Sequence, residues 1–160
     1  MKTYRAPWGE LLKIVSAVMF ILTVGSIWFS FISEQWIASG PLRLSGWLIP
    51  LVVIGALPFM VRGYGISESE IIIRRLFWDT RYPRDRLKSA VAMPDAMKAS
   101  FRLLGNGGVF SFTGWYWKKS LGIFHSYVTD GKRTVVLQFP QRTIVVSPEF
   151  PEEFVNDLNS

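Results

Sequence analysis

An uncharged apolar segment near the N-terminus constrains the fold of this chain more than any other feature. The segment Ile14–Ile32 contains no charged residue. As an α-helix it would rise about 28 Å, close to the thickness of the hydrocarbon core of a bilayer. A helix on the surface of a soluble domain is apolar on one face, whereas this segment is apolar almost all round. It is longer than the apolar part of a signal peptide and no clear cleavage site follows it, so the sequence predicts a transmembrane helix.

A second uncharged apolar segment, Leu44–Val61, follows after a short polar connection. It contains Pro50 and Pro58, which membrane helices tolerate because neighbouring groups satisfy the freed carbonyls. We therefore predict a second span, with a re-entrant or surface-lying segment as the alternative. The predicted transmembrane hairpin occupies residues 1–62, with spans at about 14–32 and 44–61.

Basic residues flank the two predicted spans on one side. Lys2, Arg5 and Lys13 precede the first span, and Arg62 follows the second. The connecting loop contains only Arg43 and Glu34 as charged residues. The positive-inside rule then places both termini in the cytoplasm, in a multi-pass protein of the inner (plasma) membrane.

The composition argues against several kinds of chemistry. The chain has no cysteine and one histidine, so disulfides, thiolate metal sites, cysteine nucleophiles and histidine clusters are excluded. His125 has no partners at the spacing of a catalytic triad, and we predict no catalytic residue, metal or cofactor. The net charge of +6 suits an anionic surface such as lipid headgroups. No nucleic-acid motif is present, so we expect no nucleic-acid partner. The sequence also shows no sign of a small-molecule substrate.

Residues 63–160 show the pattern of a β-rich domain. Short β-branched and aromatic segments alternate with turn residues, and Asp130-Gly131 predicts a hairpin between Ser126–Thr129 and Thr134–Phe139. The segment from Pro151 to Leu158 predicts a helix, with Phe150, Phe154 and Leu158 on one face. The fold class is therefore α+β: a two-helix transmembrane hairpin followed by a small β-sandwich or partly open barrel. About seven strands would be capped by the C-terminal α-helix.

Glycines and aromatic residues are concentrated between Lys98 and Gly122. The chain contains an R-x-x-G-N-G-G-x-F-x-x-x-G turn, a later Tyr-x-Thr strand and a Ser-Pro-x-x-Pro-x-x-Phe ending. The residues of these motifs are Arg102, Gly105, Asn106, Gly107, Gly108, Phe110, Gly114, Tyr127, Thr129, Ser147, Pro148, Pro151 and Phe154. Together the motifs resemble the pattern of the bacterial pleckstrin-homology-like (PH) domain family. The resemblance covers residues 63–158 and implies a seven-stranded sandwich with a C-terminal helix and no enzymatic activity.

Two sets of residues are candidate sites. The first set is Arg102, Gly105, Asn106, Gly107 and Gly108. Glycine permits positive φ and asparagine tolerates it, so this segment forms either a structural turn or a nest of backbone N–H groups for an anion. No nucleotide P-loop pattern is present.

The second candidate set is Trp115, Trp117, Lys118 and Lys119. Aromatic rings beside lysines suit contact with lipid headgroups or a partner protein. The alternative is a strand with its rings in the core and its lysines in solvent.

These observations predict a non-enzymatic, membrane-anchored interaction or scaffold module. Its cytoplasmic PH-like domain would contact membrane lipid, a partner protein or another copy of itself as a homo-oligomer. The alternative is an accessory subunit of a larger membrane complex, such as a transporter or envelope-biogenesis machinery, with the helices as the main interface.

Overall fold

The structure, a computed structural model, describes residues 1–36 and 46–160. Three α-helices and ten β-strands form in these residues. The helices are α1 (Glu10–Trp36), α2 (Leu48–Ala56) and α3 (Pro151–Asn159). The strands are β1 (Lys2–Arg5), β2 (Val61–Ile66), β3 (Glu70–Arg75), β4 (Asp79–Pro83), β5 (Ser89–Ala92), β6 (Phe101–Gly107), β7 (Phe112–Lys118), β8 (Gly122–Val128), β9 (Val135–Phe139) and β10 (Arg142–Val146). Short 3-10 turns cover Leu57–Phe59 and Arg84–Arg86.

Helix α1 contains the predicted first span. Its 27 residues rise about 40 Å. In the described part of the chain, Glu10–Ile32 is the one segment long and apolar enough to cross a membrane. The first turns of α1 pack against the β-rich domain: Gly9 N donates to Thr129 O at 3.0 Å, and the side chain of Leu12 is fully buried. The apolar residues that follow are mostly exposed.

The predicted second span is shorter in the structure than the sequence suggested. Helix α2 has nine residues, and the 3-10 turn that contains Pro58 adds three. Together they rise less than about 20 Å, whereas a hydrocarbon core is about 30 Å thick. Strand β2 then begins at Val61. The described residues therefore do not form the expected two-helix transmembrane hairpin. Residues 37–45 lie outside them and include most of the predicted connection and the first two residues of the predicted second span.

Helix α2 runs back along α1, and the two are called the helix pair below. At the start of α2, a Cβ atom on Gly46 would lie 3.1 Å from Ser26 O, so the helices approach closely there. At its end, Gly55 and Phe59 border the same cavity as Val15 on α1. The pair is thus antiparallel, with the 3-10 turn near the β-rich domain.

The strands form two sheets. The four-stranded sheet has the order β1-β2-β3-β4, and the six-stranded sheet has the order β5-β9-β10-β8-β7-β6. Strand β1 was not among the predicted strands, and it pairs antiparallel with β2, from Lys2 opposite Ile66 to Arg5 opposite Gly63. The chain therefore has more strands than the predicted seven, and one of them precedes α1. The predicted boundary at residues 62/63 stays a prediction.

The predicted Asp130-Gly131 hairpin is wrong. Strands β8 and β9 are not neighbours, because β10 lies between them, parallel to β8 and antiparallel to β9. The tight hairpin is instead β9–β10, with Pro140 and Gln141 in its turn. A local turn signal cannot report a third strand that inserts between the two it connects.

The main core lies between the four-stranded sheet and part of the six-stranded sheet. The six-stranded sheet contributes buried residues from β5, β9, β10 and β8 to this core: Ala90, Tyr127, Val135, Leu137, Ile144 and Val146. In the described chain, no residue of β6 or β7 belongs to it. A second cluster, which includes Tyr116 and Phe124, covers the opposite face of the six-stranded sheet. The wider sheet thus extends beyond the narrower one at its β7–β6 edge.

Helix α3 packs where it was predicted. Phe154 is fully buried, with its ring centroid 5.1 Å from that of Tyr4 and 6.2 Å from that of Tyr64, and Leu158 is buried beside it. Phe150 is exposed at the helix N-cap, so its predicted place on the buried face is wrong. The ammonium of Lys2 donates to Asp157 at 2.7 Å and, with the Tyr4 hydroxyl, lowers the pKa of that carboxyl. These contacts join β1 to α3.

Candidate functional site

Large apolar side chains remain exposed where the six-stranded sheet extends beyond its partner. Phe101 lies opposite Trp117, and Trp117 lies opposite Ile123 on the next strand. Leu104 lies opposite Trp115 in the same way. Phe101, Leu104 and Ile123 are 67%, 71% and 58% exposed, and both tryptophans are about two-fifths exposed. We call these five residues the exposed sheet face.

The lysines next to this face do not share its orientation. Lys118 lies on the other side of β7 from Trp117, and its Nζ donates to Ala96 O at 2.9 Å and to Asp95 O at 3.3 Å. That ammonium group therefore holds the loop before β6. Lys119 is exposed after the end of β7. The predicted headgroup or partner contact stays a prediction, with the rings and Lys119 as its accessible members.

The glycine turn forms a close contact between β6 and β7. Gly105 and Gly114 lie opposite each other with φ of +122° and +138°. A Cβ atom on either residue would lie 2.7 Å from the Cα of the other. Asn106 orders the following turn, because its Oδ1 accepts from Val109 N at 3.0 Å and its Nδ2 donates to Val109 O. This geometry favours the structural-turn interpretation over the anion nest.

The same turn holds the helix pair against the domain. Phe110 N donates to Ser16 Oγ at 3.1 Å, which attaches the turn to α1. Ser111 Oγ donates to Phe59 O at 2.9 Å, and Thr113 Oγ1 donates to the same carbonyl at 3.3 Å. The glycine-asparagine turn is therefore the joint between the domain and its helices.

An open groove of about 620 Å³ lies between the helix pair and the sheet. Side chains from the helices and the 3-10 turn form one wall, and residues of β6 and β7 form the other. The apolar part of the lining is Val15, Met19, Val52, Ala56, Phe59, Leu104, Val109 and Trp115. The polar lining includes Arg75 and Arg102, together with His125.

Within residues 1–36 and 46–160, Arg75 and His125 each have a buried nitrogen without a hydrogen-bond partner. The Arg75 guanidinium lies among three rings, 4.9 Å from the centroid of Tyr127, 5.5 Å from Trp78 and 5.8 Å from Phe59. Its Nε and the Nδ1 of His125 are the buried nitrogens, and neither forms a hydrogen bond with another described residue. Burial, aided by the positive charges of Arg75 and Arg142, lowers the pKa of His125 to about 4. The imidazole is therefore neutral at pH 7, whereas the guanidinium is charged.

Several residues of the Tyr-x-Thr and Ser-Pro motifs have a structural role. Tyr64 Oη donates to Tyr127 O at 2.5 Å, and Ser147 N donates to Tyr64 Oη at 3.1 Å. Thr129 N in turn donates to Ser147 Oγ at 2.8 Å. Burial raises the pKa of Tyr64 to about 12, so its hydroxyl keeps its proton. This buried network connects β2, β8 and the segment after β10.

No group of three or more histidine, aspartate or glutamate side chains suited to a metal ion occurs in residues 1–36 and 46–160. The polar groups of the groove are cationic or neutral, which suits an anion rather than a metal.

The two packed sheets and the C-terminal helix agree with the α+β class that the resemblance to PH domains implies. Residues 62–160 match the family described as bacterial PH domain, and the chain belongs to that family. Comparison with curated proteins and comparison with solved structures each found no match. PH domains are generally non-catalytic binding modules, and the predicted family is confirmed.

The structure separates the predicted site residues into two roles. The glycine turn supports the joint, whereas Trp115 and Trp117 lie on the exposed sheet face. Sequence reasoning missed Arg75, because a single arginine at the end of a strand gives no signal of the rings that surround it. It also missed the exposed turn at Phe77 and Trp78, whose aromatic pair was a visible signal.

Proposed function

We propose that this protein is a non-enzymatic, membrane-anchored binding module whose PH domain contacts the bilayer surface through the exposed sheet face. The observation that supports the proposal is this apolar face of five large, exposed side chains at the β7–β6 edge of the six-stranded sheet. Soluble monomers rarely expose contiguous apolar patches of this kind, and such patches are typical of protein or membrane contact sites. Tryptophan side chains also favour the headgroup level of a bilayer.

The position of the helix pair supports a bilayer as the contact. Met19 and Val52 belong to the apolar helices, yet they border the same groove as Trp115 and Leu104. The helices are bonded to the domain through Ser16 and through Phe59 O, so the face keeps a fixed position beside them. A helix that enters the bilayer at Met19 would bring the exposed sheet face to the headgroup layer.

Strand pairing supports a topology in which the chain returns to the side from which it entered. Strand β1 precedes α1 and β2 follows α2, and these two strands are hydrogen-bonded neighbours. Both ends of the helical segment therefore belong to one domain. We propose that this side is the cytoplasm and that the membrane is the inner (plasma) membrane, as the basic flanks predict.

The topology has a direct test, because the chain contains no native cysteine. An impermeant thiol reagent on intact cells should not label Ser160→Cys. It should label Ser39→Cys, a position outside the described residues, if the segment crosses fully. Labelling at Ser160→Cys would contradict the proposed side. Protection at both positions would support a helix pair that inserts without crossing.

The contact face is tested with the full chain in lipid nanodiscs. A polarity-sensitive fluorophore is attached to Ile123→Cys on the exposed sheet face. Val91→Cys is the control, because it lies on β5 at the opposite edge of the same sheet and is similarly exposed, at 51%. Lipids with a nitroxide near the headgroup should quench the first fluorophore and spare the second. Equal quenching, or none at Ile123→Cys, would refute a bilayer contact.

Protein partners and self-association are separate outcomes of this test. Suppose that the fluorophore at Ile123→Cys is not quenched by the lipid but shows energy transfer to a second labelled copy of the chain. That result would show that the exposed sheet face contacts another chain. That result would replace the bilayer with a homo-oligomer as the contact. Lys119→Glu should weaken bilayer contact modestly, since one basic residue near an anionic surface contributes about 1 kcal/mol.

A further inference from the structure

We propose that the groove between the helix pair and the sheet binds one anionic phospholipid, with its phosphate at Arg75 and an acyl chain along the helices. This inference rests on the proposed function, because it requires the groove to open to the bilayer. It adds a specific lipid site to a domain that would otherwise only touch the surface. The site is distinct from the exposed sheet face, with Leu104 and Trp115 at their shared border.

The charges of the groove select an anion. Arg75 and Arg102 are the charged side chains among its described lining residues, and none of these residues is acidic. The buried Nε of Arg75 has no hydrogen-bond partner among the described residues, and such N–H groups are nearly always hydrogen-bonded in folded proteins. A phosphate oxygen would accept a charge-assisted hydrogen bond from a guanidinium, which is about twice as strong as a neutral one.

The apolar lining selects a hydrocarbon chain. The volume of about 620 Å³ lies within the range of about 300–1,000 Å³ for sites that enclose a small molecule. The wall from the helix pair is made of aliphatic side chains and Phe59. An acyl chain that enters from a bilayer or a detergent micelle exchanges one apolar environment for another, so this wall holds the chain by van der Waals packing and the phosphate contact provides the selectivity.

The order of polar and apolar groups along the groove matches that of a lipid in a leaflet. Arg75 contacts Phe59, at the end of the helix pair next to the domain. Val52 lies about 10 Å farther along the helix axis, away from the domain. A lipid bound with its phosphate at Arg75 would therefore point its chain in the direction in which the helices leave the domain. A soluble anion would leave this apolar wall unused.

Two glycines on the helix pair provide a matched test. A Cβ atom at Gly25 or at Gly55 would meet no atom of the described chain within 4 Å, so both positions have room there for a larger side chain. Gly55 borders the groove, whereas Gly25 does not. Gly55→Leu should fill the apolar part of the groove, and Gly25→Leu adds the same atoms to the other helix outside it.

The full-length protein is purified in a non-ionic detergent. It is titrated with phosphatidylglycerol or with phosphatidylcholine that has the same acyl chains, and native mass spectrometry counts the bound lipids. The wild type should retain one phosphatidylglycerol, in a saturable manner and in preference to phosphatidylcholine. Gly55→Leu should reduce this affinity by at least about tenfold, and Gly25→Leu should leave it unchanged. Arg75→Gln should remove the preference for the anionic lipid.

Unsaturable binding, equal retention by Gly55→Leu and Gly25→Leu, or no lipid preference in the wild type would each overturn the proposal. The Tm of each leucine variant is measured as well. Equal Tm values for Gly55→Leu and Gly25→Leu show that a difference in lipid binding does not come from a difference in stability. Because this titration uses detergent, it does not depend on contact between the exposed sheet face and a bilayer. Conversely, Gly55→Leu should leave the quenching at Ile123→Cys unchanged, so the two proposals fail separately.

Discussion

Replacement of Gly114 by alanine should destabilise the protein strongly, because two effects coincide at this position. Its φ of +138° is a conformation that L-residues rarely adopt, and such strain costs about 1–3 kcal/mol. The added Cβ would also lie 2.7 Å from Gly105 Cα and would overlap the carbonyl oxygen of Leu104. Overpacking of this kind costs about 1–3 kcal/mol more. The expected loss in free energy of unfolding is therefore about 4 kcal/mol.

Two other glycines separate these effects. Gly122 has φ of +68° and open space around its Cα, so Gly122→Ala should cost only about 1 kcal/mol for the backbone conformation. Gly131 also faces open space, and its φ lies outside the left-handed region. Gly131→Ala should be neutral or slightly stabilising, because alanine restricts the unfolded chain.

The assay is thermal unfolding of the full chain in detergent, followed by circular dichroism. For a chain of this size, 1 kcal/mol corresponds to about 2–4 °C in Tm. Gly114→Ala should lower Tm by about 10 °C and Gly122→Ala by about 3 °C. Similar losses for these two variants, or a loss below about 1 kcal/mol for Gly114→Ala, would refute the close contact between β6 and β7.

Three further predictions use the same unfolding assay. Phe154→Ala should cost about 3–5 kcal/mol because the ring is fully buried, whereas exposed Phe150→Ala should change stability by less than about 0.5 kcal/mol. Ser16→Ala should cost about 1–2 kcal/mol by removing the hydrogen bonds between α1 and the glycine turn. The Ser26 hydroxyl bonds within α1, so Ser26→Ala should cost clearly less. Equal losses for the two variants would contradict the role of the turn in holding α1. His125 should make the protein less stable as the pH falls from about 6.5 to about 4, because the unfolded chain takes up a proton that the folded chain does not. After allowance for partial exposure the effect is on the order of 1 kcal/mol, and it should be absent in His125→Gln; identical pH profiles would refute it.

The parts of the structure that the sequence predicted depend on local or strongly periodic patterns. The length and uniform apolarity of α1 need no partner to be recognised. The C-terminal helix begins with Pro151 and two acidic residues, and the spacing of Phe154 and Leu158 places both on one face. The glycine-asparagine turn carried the resemblance to the family, and Gly105, Gly108 and Gly114 in the structure have the positive φ that glycine permits. Each of these signals lies within a short stretch of chain.

The parts that the sequence missed depend on contacts between distant segments. Strand β1 forms because β2, far along the chain, offers it a free edge, and four residues carry no strand signal of their own. Strand β10 lies between β8 and β9, and the turn residues alone do not determine which of these strands pair. Each of these contacts is defined only when the chain is folded.

The same difference between local sequence patterns and long-range contacts applies to the candidate site. The residue types at Trp115 and Trp117 predicted an aromatic strand and left open whether its rings were buried or exposed. The difference in width between the two sheets decided this, because the narrower sheet ends before it reaches β7. Arg75 became a candidate ligand for phosphate only because the fold places its guanidinium among three rings beside the apolar helices. Chain composition determines which groups are available, whereas the relative positions of sheets and helices determine which of them remain without a partner.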